Sequence, residues 1–160
     1  MGSNEIQAMD PEQRERFHRE AEAQIEVFKY VKPAPTERPK KLEWLVKRPL
    51  MQVVVQVVRS GGENNLHYHT NSETTWMVLK GGARFVGVGE KVLADLGPGE
   101  GIHIPGGSRY KFLKTGEEDL EILQIVAVAD VQEGQGERIN LEAHREWMND
   151  SSDLMNYEDK

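Results

Sequence analysis

From about residue 50 to residue 128 the sequence is a series of short β-type runs cut apart by turn residues, and no other feature limits the fold so tightly. The runs are Met51–Arg59, Trp76–Leu79, Ala83–Val88, Val92–Leu96, Gly101–Pro105, Tyr110–Leu113 and Leu120–Val128. Glycine, asparagine and proline clusters separate them at Ser60–Asn65, Lys80–Gly82, Gly97–Gly99, Gly106–Gly107 and Thr115–Glu117. Turn signals about 8–12 residues apart predict an antiparallel sandwich or barrel. No segment repeats another, so the prediction is one barrel and not two.

The flanks differ in texture. Asp10, Pro11 and Glu12 read as an N-cap, a proline at the first helical position and an acidic first turn. Phe17, Ala21, Ile25 and Phe28 then form one apolar stripe on a helix otherwise covered in charge. Such a stripe has to lie on the barrel wall or on a second subunit. Pro33, Pro35 and Pro39 end the helix and give an extended connection. After the barrel, the glycines of 134–136 mark an exit, Ile139–Met148 reads as a short terminal helix, and 150–160 as a frayed polar end. The expected organisation is an N-terminal helix and arm over 1–49, a barrel over 50–130 and a tail over 131–160.

Composition removes several classes of function. The chain has no cysteine, which excludes disulfides, zinc ribbons, iron–sulfur clusters and thiol nucleophiles. Lysine and arginine number 20 against 27 acidic residues, a net charge of -7 that repels nucleic acid. The longest apolar stretch, Leu50–Val58, is interrupted by Gln52 and Gln56 and is too short to span a bilayer. With no basic and apolar leader at Met1–Asn4, the expectation is a cytoplasmic protein with a small-molecule substrate and neither nucleic acid nor membrane as partner.

Chemistry concentrates in one segment. His67 and His69 stand two residues apart on a strand, so their side chains share a face. Imidazoles so placed can converge on one metal ion at about 2.0–2.1 Å. An isolated pair of this kind is more often a solvent-facing decoration. Here it is followed by Glu73, an apolar strand through Trp76, and a glycine turn at Gly81.

The segment Gly61 to Gly81 resembles the first motif of the cupin superfamily, G-x5-H-x-H-x3-4-E-x6-G, with Gly61, His67 and His69 in place. Gly99, Pro105 and Gly107 match the second motif, G-x5-P-x-G-x2-H-x3-N. The resemblance covers about residues 50–128. It implies an all-β, cupin-type jelly-roll barrel, here with an N-terminal helix and a short C-terminal helical tail. It also implies one divalent transition metal on His67 and His69, with Fe(II) favoured and Mn, Ni, Cu or Zn suited to the same ligands.

Three positions depart from the family pattern. Counted forward from His69, the carboxylate position falls on Glu73; counted back from Gly81, it falls on Thr74. Glu73 is therefore a candidate ligand and general base, or faces away. Tyr110 stands where the second motif has its histidine, and Lys114 where it has asparagine. Neutral tyrosine is a poor ligand, so Tyr110 is read as a hydrogen-bond donor to substrate, with a rim tyrosine of the core as the plainer reading. His103, two residues before Pro105, is the favoured third metal ligand; the plainer reading is a structural histidine among apolar neighbours. Trp76 and Thr74 share a face and are candidates to line a substrate pocket, although core packing accounts for Trp76 equally well. Arg84 and Arg109 are weaker candidates at the rim, and His18 and His144 lie outside the barrel.

The functional expectation is a metal-dependent enzyme, an oxidoreductase of the dioxygenase kind, acting on a small diketone, hydroxyketone or phenol. The alternatives are a metal-dependent isomerase, decarboxylase or lyase, and a non-catalytic binding cupin. A homodimer is expected, because the helix stripe and the sheet edges need cover.

Overall fold

Valine dominates the strand that organises the computed structural model, which describes residues 2–132 and 136–143. That strand, β2 (Met51–Val58), pairs on one side with β1 (Lys40–Lys47) and on the other with β9 (Leu120–Val128). β9 in turn pairs with β4 (Ser72–Lys80), and β4 with β7 (Gly101–Ile104), all antiparallel, giving the order β1-β2-β9-β4-β7. A second layer is built from β6 (Val92–Leu96), β5 (Gly82–Val86) and β8 (Lys111–Thr115). It is continued by β3 (His67–His69) and β10 (Arg138–Asn140), which pair with each other. A backbone bridge between His67 and Tyr110, just before β8, ties the two halves of this layer together. The fold is all-β, a jelly roll of two facing sheets.

Alternation decides what lies between the layers. The inward face of the larger sheet carries Gln52, Val54, Gln56 and Val58 on β2, Leu120, Ile122, Gln124, Val126 and Val128 on β9, and Ser72, Thr74, Trp76 and Val78 on β4. Val58, Val78, Leu120 and Ile122 lie together toward one end and pack with Ala83, Phe85 and Phe112 of the second layer. Trp76 stands 5.2 Å from Phe112 and 6.0 Å from Phe85 between ring centroids, and Phe85 stacks on Tyr110 at 6.2 Å. One end of the barrel is therefore closed by an apolar and aromatic plug. Toward the other end the same three strands present Gln52, Gln56, Gln124, Ser72 and Thr74, all polar and inward.

The flanks depart from expectation in three ways. α2 (Pro11–Glu22) begins as read, with the Asp10 side chain accepting from the Gln13 amide at 2.8 Å, but ends at Glu22 and buries no residue. A shorter α1 (Ser3–Ala8) precedes it. Ile25 and Phe28 lie beyond the helix and are 77% and 52% exposed, so they never form one stripe with Phe17 and Ala21. The segment that follows runs as an arm over the outer face of β2 and β9. There the Tyr30 hydroxyl donates to Glu121 at 2.7 Å, and Lys32 pairs with Asp119 at 3.1 Å. Pro33 and Ala34 line a small cleft with Val57. Second, β1 lies inside the span assigned to the arm, so the sheet begins at Lys40. Third, Ile139 and Asn140 belong to β10 and not to a terminal helix. The rest of that proposed helix, with His144, lies outside the described residues. No helix among the described residues is long and apolar enough to cross a membrane.

Candidate functional site

The polar half of the barrel becomes a site because β3 and β10 bring their side chains to it. His67 and His69 share a face, with ring centroids 5.1 Å apart. His67 is 3% exposed and its ring lies 4.7 Å from Tyr110, which places the pair on the inward side. Burial, then the nearby Arg138 guanidinium, with His69 and Lys40 adding to it, holds the His67 imidazole well below its ordinary pKa. Burial and Arg138 push His69 down to about 4. Both rings are neutral near pH 7. His67 Nδ1 lies 2.7 Å from the Asn65 carbonyl, which requires the proton on Nδ1 and leaves the Nε2 lone pair for a ligand.

Asn65 organises more than one histidine. It is 1% exposed, and its side-chain oxygen accepts from Arg138. Its amide donates to Asn140 Oδ1 at 3.2 Å and to the Glu142 carbonyl at 3.0 Å. Arg138 is the direct cross-strand partner of His69, so the two side chains lie on one face. Sequence reasoning missed Asn65 and Arg138. It noticed Gln52 and Gln56 only as interruptions of an apolar run, although two glutamines four residues apart in a valine-rich strand signal a polar interior. Gln56 donates to Gln124 Oε1 at 2.7 Å, while the Gln56 and Gln52 carbonyl oxygens and the Ser72 hydroxyl are buried without a hydrogen-bond partner.

The other expected residues divide by strand parity. Thr74 is inward and 3% exposed, so the carboxylate position of the motif is filled by a hydroxyl. Trp76 is inward and 1% exposed; it floors the polar half and donates its indole N–H to the Tyr110 hydroxyl at 3.3 Å. Tyr110, 1% exposed, sits beside His67 as the second motif requires. Glu73 and His103 are not part of this group. They face outward on β4 and β7, where His103 Nε2 lies 3.3 Å from Glu73 and Nδ1 lies 3.2 Å from Thr75. The expectation of His103 as third ligand and Glu73 as ligand or base is therefore corrected: each is one residue out of phase with its inward neighbours Ile104 and Thr74. Arg84 is engaged by Asp95 at 2.6 and 3.0 Å, and Arg109 is exposed.

These residues set the terms for a metal. Two neutral imidazoles, one with its tautomer fixed by a backbone carbonyl, are what a divalent transition ion needs as an anchor. Among the described residues no group of three or more histidine, aspartate or glutamate side chains could hold an ion. The remaining donors nearby are the hydroxyls of Tyr110 and Thr74. The residues fit an ion held at two nitrogens, with its other positions left to water or substrate.

Comparison with known proteins places this arrangement. Residues 54–126 match the family described as "Cupin domain". A conserved protein with a double-stranded β-helix domain from Klebsiella pneumoniae superposes with a TM-score of 0.61 at 23% identity, covering 76% of this chain and 96% of that one. An RmlC-like cupin protein from Desulfovibrio desulfuricans gives 0.54 at 19% identity, over 64% and 96% of the two chains. The polyketide cyclase RemF from Streptomyces resistomycificus gives 0.52 at 23% identity, over 66% and 72%. No curated protein matches the sequence at a comparable level. The fold and the two motifs define a small jelly-roll barrel with an internal histidine pair, and this chain belongs to the cupin superfamily. Proteins of this fold differ in what they do, so the activity has to be argued from the side chains.

Proposed function

We propose that the polar half of the barrel is the site of a metal-dependent enzyme acting on a small oxygenated organic molecule. His67 and His69 would hold one divalent transition ion. The observation that carries the reading is the pair of neutral inward imidazoles, with His67 Nδ1 fixed on the Asn65 carbonyl at 2.7 Å. With Fe(II), the favoured metal, the ion supplies dioxygen chemistry and the enzyme is a dioxygenase; with Mn, Ni or Zn it supplies Lewis-acid polarisation for an isomerase, decarboxylase or lyase. The chain's own residues do the rest. Tyr110, whose oxygen accepts from Trp76, has its hydroxyl proton to place on a substrate oxygen where charge develops. Trp76, Phe85 and Phe112 exclude water from beneath. No inward carboxylate is available as a base, so a proton leaving the substrate goes to solvent or to an imidazole not engaged by metal.

Metal analysis of protein purified without added metal tests this first. His67→Ala and His69→Ala are expected to lose most bound metal, while His103→Ala, Glu73→Ala and Tyr110→Phe keep it. Loss on His103→Ala with retention on His69→Ala would reject the site. Substrate-dependent oxygen uptake by Fe(II)-loaded protein, abolished in His69→Ala, supports the dioxygenase. Turnover under nitrogen moves the assignment to the Lewis-acid class. A second reading, a non-catalytic binding cupin, is favoured by one observation: Thr74 and not a carboxylate faces inward. It predicts ligand binding to metal-free protein with no turnover.

The homodimer also belongs to this proposal. Val27 and Val31 of the arm are 97% and 64% exposed, and Met77 and Leu79 face outward on β4. A second copy covering these side chains is the simplest way to remove them from water. Sedimentation at micromolar concentration is expected to give a dimer, and a monomer rejects it.

A further inference from the structure

Every charged side chain identified on the inward face of the polar half is a cation or becomes one. β2, β9 and β4 turn no aspartate or glutamate inward; their inward polar residues are Gln52, Gln56, Gln124, Ser72 and Thr74. Against them, from β10, stands the guanidinium of Arg138, 7% exposed and directly across from His69. Burying a guanidinium costs several kcal/mol unless strong hydrogen bonds meet it, so its place inside a barrel calls for a reason. Asn65 holds it by the side-chain oxygen, and the same residue fixes His67 through its backbone carbonyl. One buried asparagine thus sets the guanidinium and the first histidine relative to each other.

The facing wall is complementary in another way. The Gln56 carbonyl oxygen is buried, on a residue 6% exposed, and has no hydrogen-bond partner; the Gln52 carbonyl oxygen is in the same condition. A buried acceptor left unmet costs about 1–3 kcal/mol. Carbonyl oxygens accept and cannot donate, so what satisfies them must bring hydroxyl or N–H groups. A guanidinium favours a planar anion with two oxygens.

We propose that the ligand of this chamber is a small hydroxylated organic acid, its carboxylate received by Arg138 and a hydroxyl group by the Gln56 carbonyl. The proposal rests on the reading of the polar half as the ligand site, and it narrows the substrate from oxygenated molecules in general to hydroxy acids. Arg138 is then a specificity residue that selects for charge, and Gln56 one that selects for the hydroxyl. The aromatic floor at Trp76 accommodates the apolar part.

The test uses full-length protein stripped of metal by chelator, so that failure of the metal reading does not affect it. Lactate, mandelate and gluconate are titrated calorimetrically beside lactamide, mandelamide and gluconamide. At least one acid is expected to bind 10-fold or more tightly than its amide. Arg138→Gln is expected to lose that preference by 10- to 100-fold while binding the amide unchanged. Arg138→Lys, which keeps the charge and loses the two-pronged geometry, should fall between, and it serves if the glutamine variant does not fold. Gln56→Leu should weaken mandelate relative to phenylacetate, which lacks the hydroxyl. Equal affinity for acid and amide, no binding of any of the six, or an acid preference that survives Arg138→Gln would overturn the proposal. If an acid binds as described while metal analysis finds none, only the metal reading fails. If metal sits on His67 and His69 while acid and amide are indistinguishable, only this inference fails.

Discussion

Replacing Trp76 with alanine is expected to destabilise the fold by about 3–5 kcal/mol, a large part of what a domain of this size possesses. Trp76 touches three other rings, with centroids 5.2 Å away at Phe112, 6.0 Å at Phe85 and 6.5 Å at Tyr110, and is 1% exposed. The neighbours belong to the facing layer, so the void opens where the two sheets meet and cannot be filled by one strand relaxing. Its indole N–H also leaves the Tyr110 hydroxyl without that donor. Trp76→Phe keeps most of the volume and should cost far less, on the order of 1–2 kcal/mol. Urea denaturation of both variants checks this; a loss below about 1 kcal/mol for Trp76→Ala would mean that the indole lines open space and not the plug.

The second large effect concerns acid. His67 and His69 are both held below the ordinary imidazole pKa in the fold, His69 at about 4, against 6.5 in the unfolded chain. Above pH 6.5 neither state binds the proton, and the stability contribution is complete. Below 6.5 the unfolded chain takes up protons that the folded rings refuse, so stability falls with pH until about 4, where the folded His69 also protonates. For His69 alone the loss is on the order of 3 kcal/mol, and His67 adds to it in the same direction. Metal-free wild-type protein should therefore lose stability steeply between pH 6.5 and 4. His69→Gln, which keeps a polar group and cannot titrate in this range, should flatten the curve. Parallel profiles for the two would show that His69 is solvated.

Much of the barrel was legible because strands announce themselves by alternation and turns by glycine. β6 and β9 fall on the residues expected, and most of the others within a residue or two. The misses have physical causes. β1 carries Lys40, Lys41, Glu43 and Lys47 after a run of prolines, and its inward Lys40 lies 5.1 Å from the Phe112 ring, so its pattern reads as polar arm. β10 has three residues and no alternation; only its partner β3 makes it a strand. In the site, spacing located His67, His69 and Tyr110, but spacing alone could not choose between Glu73 and Thr74. Parity could: Trp76 belongs to the core, Thr74 shares its face, and Glu73 therefore does not. The same count along β7, where Ile102 and Ile104 point inward, turns His103 out. Arg138 was illegible, since nothing local indicates that a residue nearly 70 positions after His69 will stand beside it.

That pairing of β10 with β3 has a consequence for biosynthesis. The strand bearing the histidines is three residues long and is flanked by the Tyr110 bridge on one side and β10 on the other. As the chain leaves the ribosome, β1 to β9 emerge first and contain everything needed to close the apolar end. The histidine strand gains its second neighbour, and the chamber its guanidinium, only when residues 138–140 follow. A nascent barrel is thus compact before it is competent, and ligand capture is deferred to the last stage of translation.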